Sequence, residues 1–386
     1  MRLSKSLVVA ALAILAFAAG FGAATLRDRS GPSASASAQV ALYRQVLADL
    51  QHDYYKSIDV AQLGQSGITG LLASLHDPYT DFFTTQQAKA FSDELSGSYT
   101  GIGTAVVLKG GRFTVSEVFA GSPAAQAKIR PGDVIVSIDG TATLGKSIDA
   151  SVERILGPAG TQVHLQVRQP GTPGLLDLTL TRRAISLPLT STRLIDGQGT
   201  KVGYVALSAF AQGAGQQVGR AVADLQKRGA RWLILDLRNN GGGLVSEAVN
   251  VASDLLPAGK VVVSTQGLHS PRAVLKTGAG NHTGLPLVLL VNGNTASASE
   301  ILTGALQDYR RATVIGTRTF GKGVIQTVLN LAGGSELKIT VAADHTPLGR
   351  NFNHIGLEPS IVVVQNPHST ADQVLARALR FIASGH

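Results

Sequence analysis

Residues 287–306, LVLLVNGNTASASEILTGAL, run five apolar residues into a polar turn and then into a helix-forming segment. A short unbroken apolar run of this kind reads as a strand. Ser297-x-x-Glu300 marks the helix entrance, because this spacing lets Ser and Glu satisfy free backbone amides. The same order recurs on both sides of this segment. VGYVAL (202–207) leads to a helix with Val218, Val222 and Leu225 on one face. WLILDL (232–237) leads to RNNGGG (238–243) and then a helix with Leu244, Ala248, Val251 and Leu255. ATVIG (312–316) leads to a glycine loop and two further strands, VIQTVL and ELKITVA. An amphipathic helix, STADQVLARALRFI, closes the chain. Residues 187–386 therefore read as α/β.

The preceding part differs in character. In 98–186, YTGIGTAVVL and RFTVSEVF read as strands around a KGG turn, and GSPAAQAKI as a short helix entered at Pro123. RPGDVIVSIDG holds a further strand, SIDASVERIL a helix ending at Gly157-Pro158, and QVHLQVRQ and LLDLTLTRR two more strands. This is a small β-rich unit. Residues 39–97 read as helical, with Leu42, Val46 and Leu50 at helical spacing, broken by HDPYTDFF (76–83).

Composition narrows the function. The chain has 386 residues, 44% hydrophobic and 15% charged, with 44 glycines, enough for a substantial core with many tight turns. The net charge of +9 is scattered, and its densest spots are pairs such as Arg182–Arg183 and Arg310–Arg311, so no nucleic-acid-binding stripe is expected. The absence of cysteine excludes disulfides, a thiol nucleophile and thiolate metal ligands. The nine histidines show no metal-binding spacing. Arg2 and Lys5 precede Leu7–Ala24, a run without polar side chains that directs export. Small-x-small sites follow at Ala34–Ala36 and Ala36–Ala38, so 1–38 reads as an export signal or membrane anchor with a linker. Cleavage would release the protein into the periplasm or another extracytoplasmic space; retention would tether it to the membrane. Export weighs against an ATP-consuming enzyme.

Three loops at the carboxyl ends of apolar strands carry reactive groups: RNNGGG, NTASASE (294–300) and TFGKG (319–323). Gly316 to Lys322 fits most of a phosphate-binding loop, but Gly323 stands where the Mg²⁺-binding hydroxyl belongs. Ser297 is either a helix cap or a nucleophile at the positive end of a helix. A hydroxyl nucleophile needs a base, and no histidine neighbours these loops. Lys322 is the alternative. An ordinary lysine, pKa about 10.4, is protonated at neutral pH, and lowering it to about 7 by burial costs roughly 4–5 kcal/mol. Phe320 is the expected apolar cover, and the flanking glycines permit a tight bend.

Together, LDLRNNGGGLVSEAVNVASDLLP, VNGNTASASEILTGALQDYRRATVIGTRTFGKGVIQTV and ELKITVAADHTPLGRNFNHIGLEPSI resemble the carboxyl-terminal processing (tail-specific) proteases, exported serine peptidases. The resemblance runs from about Leu42 to the end. It includes DPYTDFF, and GIGTAV with GSPAAQAKIRPGDVIVSIDG resembles the family's PDZ domain. It implies a crotonase-like α/β spiral peptidase core (187–386) completed by N-terminal helices (39–97), with a PDZ domain (98–186) inserted before the core. It further implies Ser297 as nucleophile, Lys322 as general base and Gln326 as the residue orienting the lysine. Backbone amides of Gly243 and Ala298 would form the oxyanion hole. Gly101, Ile102, Gly103 and Thr104 would form a nest for a peptide C-terminus, the mode in which a peptide adds to a sheet edge. Expected partners are protein substrates with accessible C-termini, with a homo-oligomer left open and a catalytically silent PDZ scaffold as the alternative. Three positions depart from the family pattern. Gly241 replaces a proline, predicting a looser loop. Lys128 replaces a glycine, predicting strain or a different helix end. Leu156 replaces a basic residue, which puts control of the active site by the PDZ unit in question.

Overall fold

The computed structural model describes residues 34–384 and one two-residue strand, β1 (Ala16–Phe17). The rest of the expected export segment lies outside the described residues. Among those described, no helix is long and apolar enough to cross a membrane. The chain divides into two compact units, 91–189 and the remainder.

The N-terminal stretch forms α1 (Ala34–Asp53), α2 (Val60–Ala73), β2 (Asp81–Phe83) and α3 (Thr85–Leu95). Asp59 caps α2, its Oδ1 accepting from the Ala61 and Gln62 amides at 2.9 and 3.1 Å. The helical spacing of Leu42, Val46 and Leu50 does produce a helix, but these residues are exposed rather than packed inward. The break at 76–83 docks as a strand: β2 pairs antiparallel with a later strand, Asp81 opposite Lys338 and Phe83 opposite Glu336.

The unit 91–189 contains β3 (Ser98–Gly101), β4 (Thr104–Lys109), β5 (Arg112–Val118), α4 (Pro123–Gln126), β6 (Val134–Ile138) and β7 (Thr141–Ala142). It continues with α5 (Ile148–Ile155), β8 (Gln162–Arg168), β9 (Leu176–Thr181) and β10 (Arg183–Ser186). Its main sheet runs β4-β5-β6-β8-β9, so β4 is an edge, while β3 pairs with β10. YTGIGTAVVL, expected as one strand, is two, because Gly103 at φ 84° turns the chain between them. Ile102, Phe113, Ile135, Leu165 and Val167 fill the core. The buried Arg182 closes the carboxyl end of α5, donating to the Ile155, Arg154 and Gln162 carbonyls at 2.7, 2.8 and 2.6 Å.

The larger unit continues with β11 (Thr190–Asp196), β12 (Lys201–Leu207), α6 (Ala214–Lys227), β13 (Trp232–Asp236), β14 (Gly243–Leu244), α7 (Val245–Leu255), β15 (Val261–Gln266) and β16 (Ala273–Lys276). It is completed by β17 (Leu287–Val291), α8 (Ala298–Asp308), β18 (Ala312–Gly316), β19 (Val324–Asn330), β20 (Glu336–His345), β21 (Ile361–Val362) and α9 (Gln373–Ser384). One sheet has the order β11-β12-β13-β17-β18-β21, with every pair from β12 onward parallel. Its inner strands β13, β17 and β18 are mostly apolar and buried, as in a sheet covered on both faces. On one face Ile234, Val288, Leu290 and Ile315 pack against Val374, Ala378 and Ile382 of α9. The consequence for function is topological. Because β13, β17 and β18 are neighbours, the loops that leave their carboxyl ends lie side by side. A second sheet runs β14-β1-β19-β20-β15-β16, with β2 on β20.

Candidate active site

Ser297 ends the loop after β17 and precedes α8, with φ 58° and ψ −117°. A non-glycine residue at positive φ is strained, and such strain persists only where the surroundings enforce it. Here Glu300 does so. Its Oε2 accepts from the Ser297 amide at 2.9 Å, and the Glu300 amide donates to the Ser297 carbonyl at 2.7 Å. The hydroxyl takes no part: Ser297 Oγ is buried without a hydrogen-bond partner. The capping-box reading is thus half right, since the glutamate half is made and the serine half is not. Ser299 Oγ, in contrast, is engaged on the Asn240 carbonyl at 3.0 Å.

The same glutamate holds the lysine loop. Glu300 Oε2 also accepts from the Lys322 amide at 2.8 Å, while Oε1 accepts from the Gly321 amide at 2.7 Å and from Thr319 Oγ1 at 2.5 Å. One carboxylate oxygen therefore binds the backbones of both Ser297 and Lys322. Burial pushes the Glu300 carboxyl up, and these four hydrogen bonds oppose it. Four donors converging on two oxygens call for an ionised acceptor. Glycines let the loop approach its neighbours. A Cβ at Gly321, where φ is 92°, would lie 2.8 Å from the Gly356 nitrogen, and one at Gly323 would lie 2.7 Å from the Asn353 nitrogen.

Lys322 is fully buried. Its cover is not Phe320, which is 46% exposed, but Tyr79, whose ring centroid is 4.8 Å from Nζ. Tyr79 reaches this position because β2 is paired to β20 and because Thr80 links the two segments. Thr80 Oγ1 accepts from the Thr340 amide at 3.1 Å and donates to Asp77 at 2.6 Å. Burial pushes the Lys322 amine down to about 7, and the Lys338 charge adds to this, while Asp344, Asp77 and Glu300 pull it back up. Gln326 lies on β19, in the expected strand VIQTVL, at a register irregularity. Its Nε2 donates to Thr340 Oγ1 at 3.2 Å, and its Oε1 is buried without a hydrogen-bond partner.

RNNGGG packs against the serine. A Cβ on Gly242 would stand 2.8 Å from Ser297 Cβ and 2.9 Å from the Ala298 nitrogen. Gly242 and Gly243 both need glycine, at φ 103° and 133°. Gly241, between them and Asn240, has no positive φ. Asn240 Oδ1 accepts from the Gly242 amide at 2.9 Å, and its Nδ2 donates to Leu207 O at 2.8 Å. Arg238 bridges Asp236 and Asp372. The Ala298 amide is the first donor of α8, a position with no intrahelical acceptor. Ser297, Lys322, Gln326, Gly243 and Ala298 thus belong to one neighbourhood.

Gly101–Thr104 spans the end of β3 and the start of edge strand β4. Ile102 is buried in the unit's core, and its carbonyl accepts from the Ala124 amide at 2.9 Å. Lys128, just past α4, sits at φ 61°, so the expected strain is present. Sequence reasoning missed Tyr79, Lys338, Asp77 and Asp344, and took Glu300 only for a cap. The signal for Glu300 was its spacing from Ser297; the others reach Lys322 only through tertiary pairing of β2, β19 and β20. Among the described residues no cluster of His, Asp and Glu suited to a metal is present.

The description peptidase family S41 matches residues 201–363, and that of a PDZ domain matches 114–169. The carboxyl-terminal-processing protease of Synechocystis sp. is 37% identical over 303 residues, 78% of this chain and 71% of that protein. The carboxy-terminal processing protease CtpA of Bacillus subtilis is 33% identical over 312 residues, 81% of this chain and 66% of that protein. Among solved structures, the photosystem II D1 C-terminal processing protease shares 34% identity at a TM-score of 0.51, covering 87% of this chain and 90% of that one.

Proposed function

The chain belongs to peptidase family S41, and on that premise we propose that it is an exported serine endopeptidase in which Ser297 and Lys322 form the catalytic pair. Neutral Lys322 takes the Ser297 proton as Oγ attacks the scissile carbonyl, with the Gly243 and Ala298 amides holding the oxyanion. The resulting ammonium then protonates the leaving nitrogen as the C–N bond breaks, and water hydrolyses the ester. Gln326, whose buried Oε1 has no hydrogen-bond partner, would orient the lysine. The mechanism draws on no metal or organic cofactor. The observation that carries this reading is the shared Glu300 oxygen: it ties a strained serine with an unengaged hydroxyl to a buried lysine.

Substrates are proteins recognised through their C-terminal region. The carboxylate would sit in the nest of Gly101, Ile102, Gly103 and Thr104, with the peptide adding to the β4 edge. At the catalytic cleft, β1 lies parallel between Gly243–Leu244 and Gln326, which supports binding of a substrate as an extended strand there. The crotonase-like character of the core, export directed by residues 7–24, a membrane tether and self-association belong to the same proposal.

Incubation with an unstructured protein tests the pair. The wild type cleaves it; Ser297→Ala and Lys322→Ala each lose about 10⁴-fold or more in kcat/KM, the scale seen when a nucleophile or its base is removed. Cleavage by both variants at the wild-type rate would refute the pairing.

A further inference from the structure

Asp344, on β20, is fully buried, and neither of its carboxyl oxygens has a hydrogen-bond partner. Removing a carboxyl from water without hydrogen bonds is costly, and native folds seldom leave such a group without a use. Its backbone position is fixed beside the lysine loop. The Asp344 amide donates to the Gly323 carbonyl at 2.9 Å, and Ala343 stands opposite Val324 in the β19–β20 ladder. Asp344 and Lys322 interact electrostatically, each the other's foremost ionic partner of opposite sign.

Resting on the Ser297–Lys322 reading, we propose that Asp344 is a positioning residue for the lysine: its buried, unpartnered carboxyl, held beside the lysine loop, acts through its charge to sustain the basicity of the Lys322 amine. The other charged groups acting on Lys322 are Lys338, Asp77 and Glu300, and Tyr79 supplies the ring over Nζ; Glu300 also faces Asp344. His345 and Lys338 lie on the same strand as Asp344. Burial drives both groups toward their neutral forms, the amine down and the carboxyl up, each to about 7. The carboxyl's role follows from this balance. With only Asp77 and Glu300 to offset burial and the Lys338 charge, the buried lysine would become a weaker base toward the serine proton. Asp344 sustains its basicity while burial keeps it unprotonated. In acylation the serine proton passes to Nζ and then to the leaving nitrogen, so Asp344 ends the cycle with the proton count it began with.

Two measurements on the full chain test this. In Asp344→Asn the acid limb of kcat/KM against pH moves down by about one pH unit or more, and the plateau of kcat falls, because a nearby carboxylate raises a lysine's pKa by that order. A limb at the wild-type pH, whatever the change in thermal stability, overturns the proposal. The second measurement reads the carboxyl directly and needs no activity. With ¹³C-labelled aspartate in a Ser297→Ala background, the Asp344 carboxyl titrates near neutrality. In the Ser297→Ala/Lys322→Met double variant its midpoint rises by about one pH unit or more, because the lysine charge that favours the carboxylate is gone. Titration in the ordinary range near 4, unchanged by the second substitution, refutes the coupling. This experiment remains decisive even if Ser297 and Lys322 prove not to be the proteolytic residues, so the two readings fail separately.

Discussion

Ser297 shows most directly how one residue's backbone sets its chemistry. A serine capping α8 would adopt extended dihedrals and accept a backbone N–H with its hydroxyl oxygen. This one sits at φ 58°, lets Glu300 do the capping, and keeps Oγ out of the hydrogen-bond network. The Ser-x-x-Glu pattern was therefore legible, while the division of labour within it was not, because propensity says nothing about which half of a capping box forms. Lys322 is similar. Its need for burial follows from its ordinary pKa, but the aromatic that covers it comes from residue 79, far upstream, and not from the adjacent Phe320. With burial lowering the amine to about 7, the neutral form grows as pH rises through neutrality. The expected kcat/KM profile accordingly climbs from pH 6 to 8 and then levels; a profile already flat across that range would show an ordinary carboxylate or serine limit instead. Lys128 offers a test unconnected with catalysis. A side chain in the left-handed region costs about 1 kcal/mol relative to glycine, and at this helix end φ is 61°. Lys128→Gly should raise the unfolding free energy by about that amount, read as a shift in denaturant midpoint with an unchanged slope.

At the scale of elements, the site is an outcome of strand order. Each strand–loop–helix segment could be read from apolar runs and glycine-rich turns, and so could β19 and β20 as separate strands. That β13, β17 and β18 lie next to one another could not, since periodicity identifies a strand without identifying its partners. The docking of β2 on β20 escaped for the same reason, and with it the placement of Tyr79, Thr80 and Asp77 around the lysine. These elements meet at close range, which is where glycine becomes necessary. Gly321 combines φ 92° with the backbone of 355–356 against its α-carbon, while its amide holds Glu300 at 2.7 Å. Gly321→Ala should push the loop away from 355–356 and carry Lys322 with it. Displacement of a catalytic group by about 1 Å can cost on the order of 10²-fold, so kcat should fall by about 10- to 100-fold while affinity for a C-terminal peptide at the PDZ unit stays unchanged. An unaltered kcat would mean that the loop tolerates the methyl group and that its close packing does not position the lysine.

For the molecule as a whole, the chain leaves the peptidase region, builds a second compact unit over 91–189 and returns. Such an arrangement folds reliably when the inserted unit has a core of its own and its two ends meet. Both conditions are visible. Ile102, Phe113, Ile135, Leu165 and Val167 form a continuous core within the unit. The entering strand β3 pairs with the leaving strand β10, Ser98 opposite Ser186, and the Leu187 amide donates to the Gly97 carbonyl at 2.8 Å. The buried Arg182 closes α5 with bonds that stay inside the unit. A segment of about 100 residues with these features lies within the size range of independent domains. Residues 91–189 expressed alone should therefore melt in one cooperative transition and bind a peptide with a free C-terminal carboxylate more tightly than its amidated form. The contrast between the two peptides tests the backbone nest at Gly101–Thr104, because amidation removes the charge that the nest would receive while leaving the strand-forming backbone intact. A broad, non-cooperative melt would show that the fold of this unit depends on the rest of the chain. Equal binding of the two peptides by a well-folded unit would remove Gly101–Thr104 as the carboxylate site.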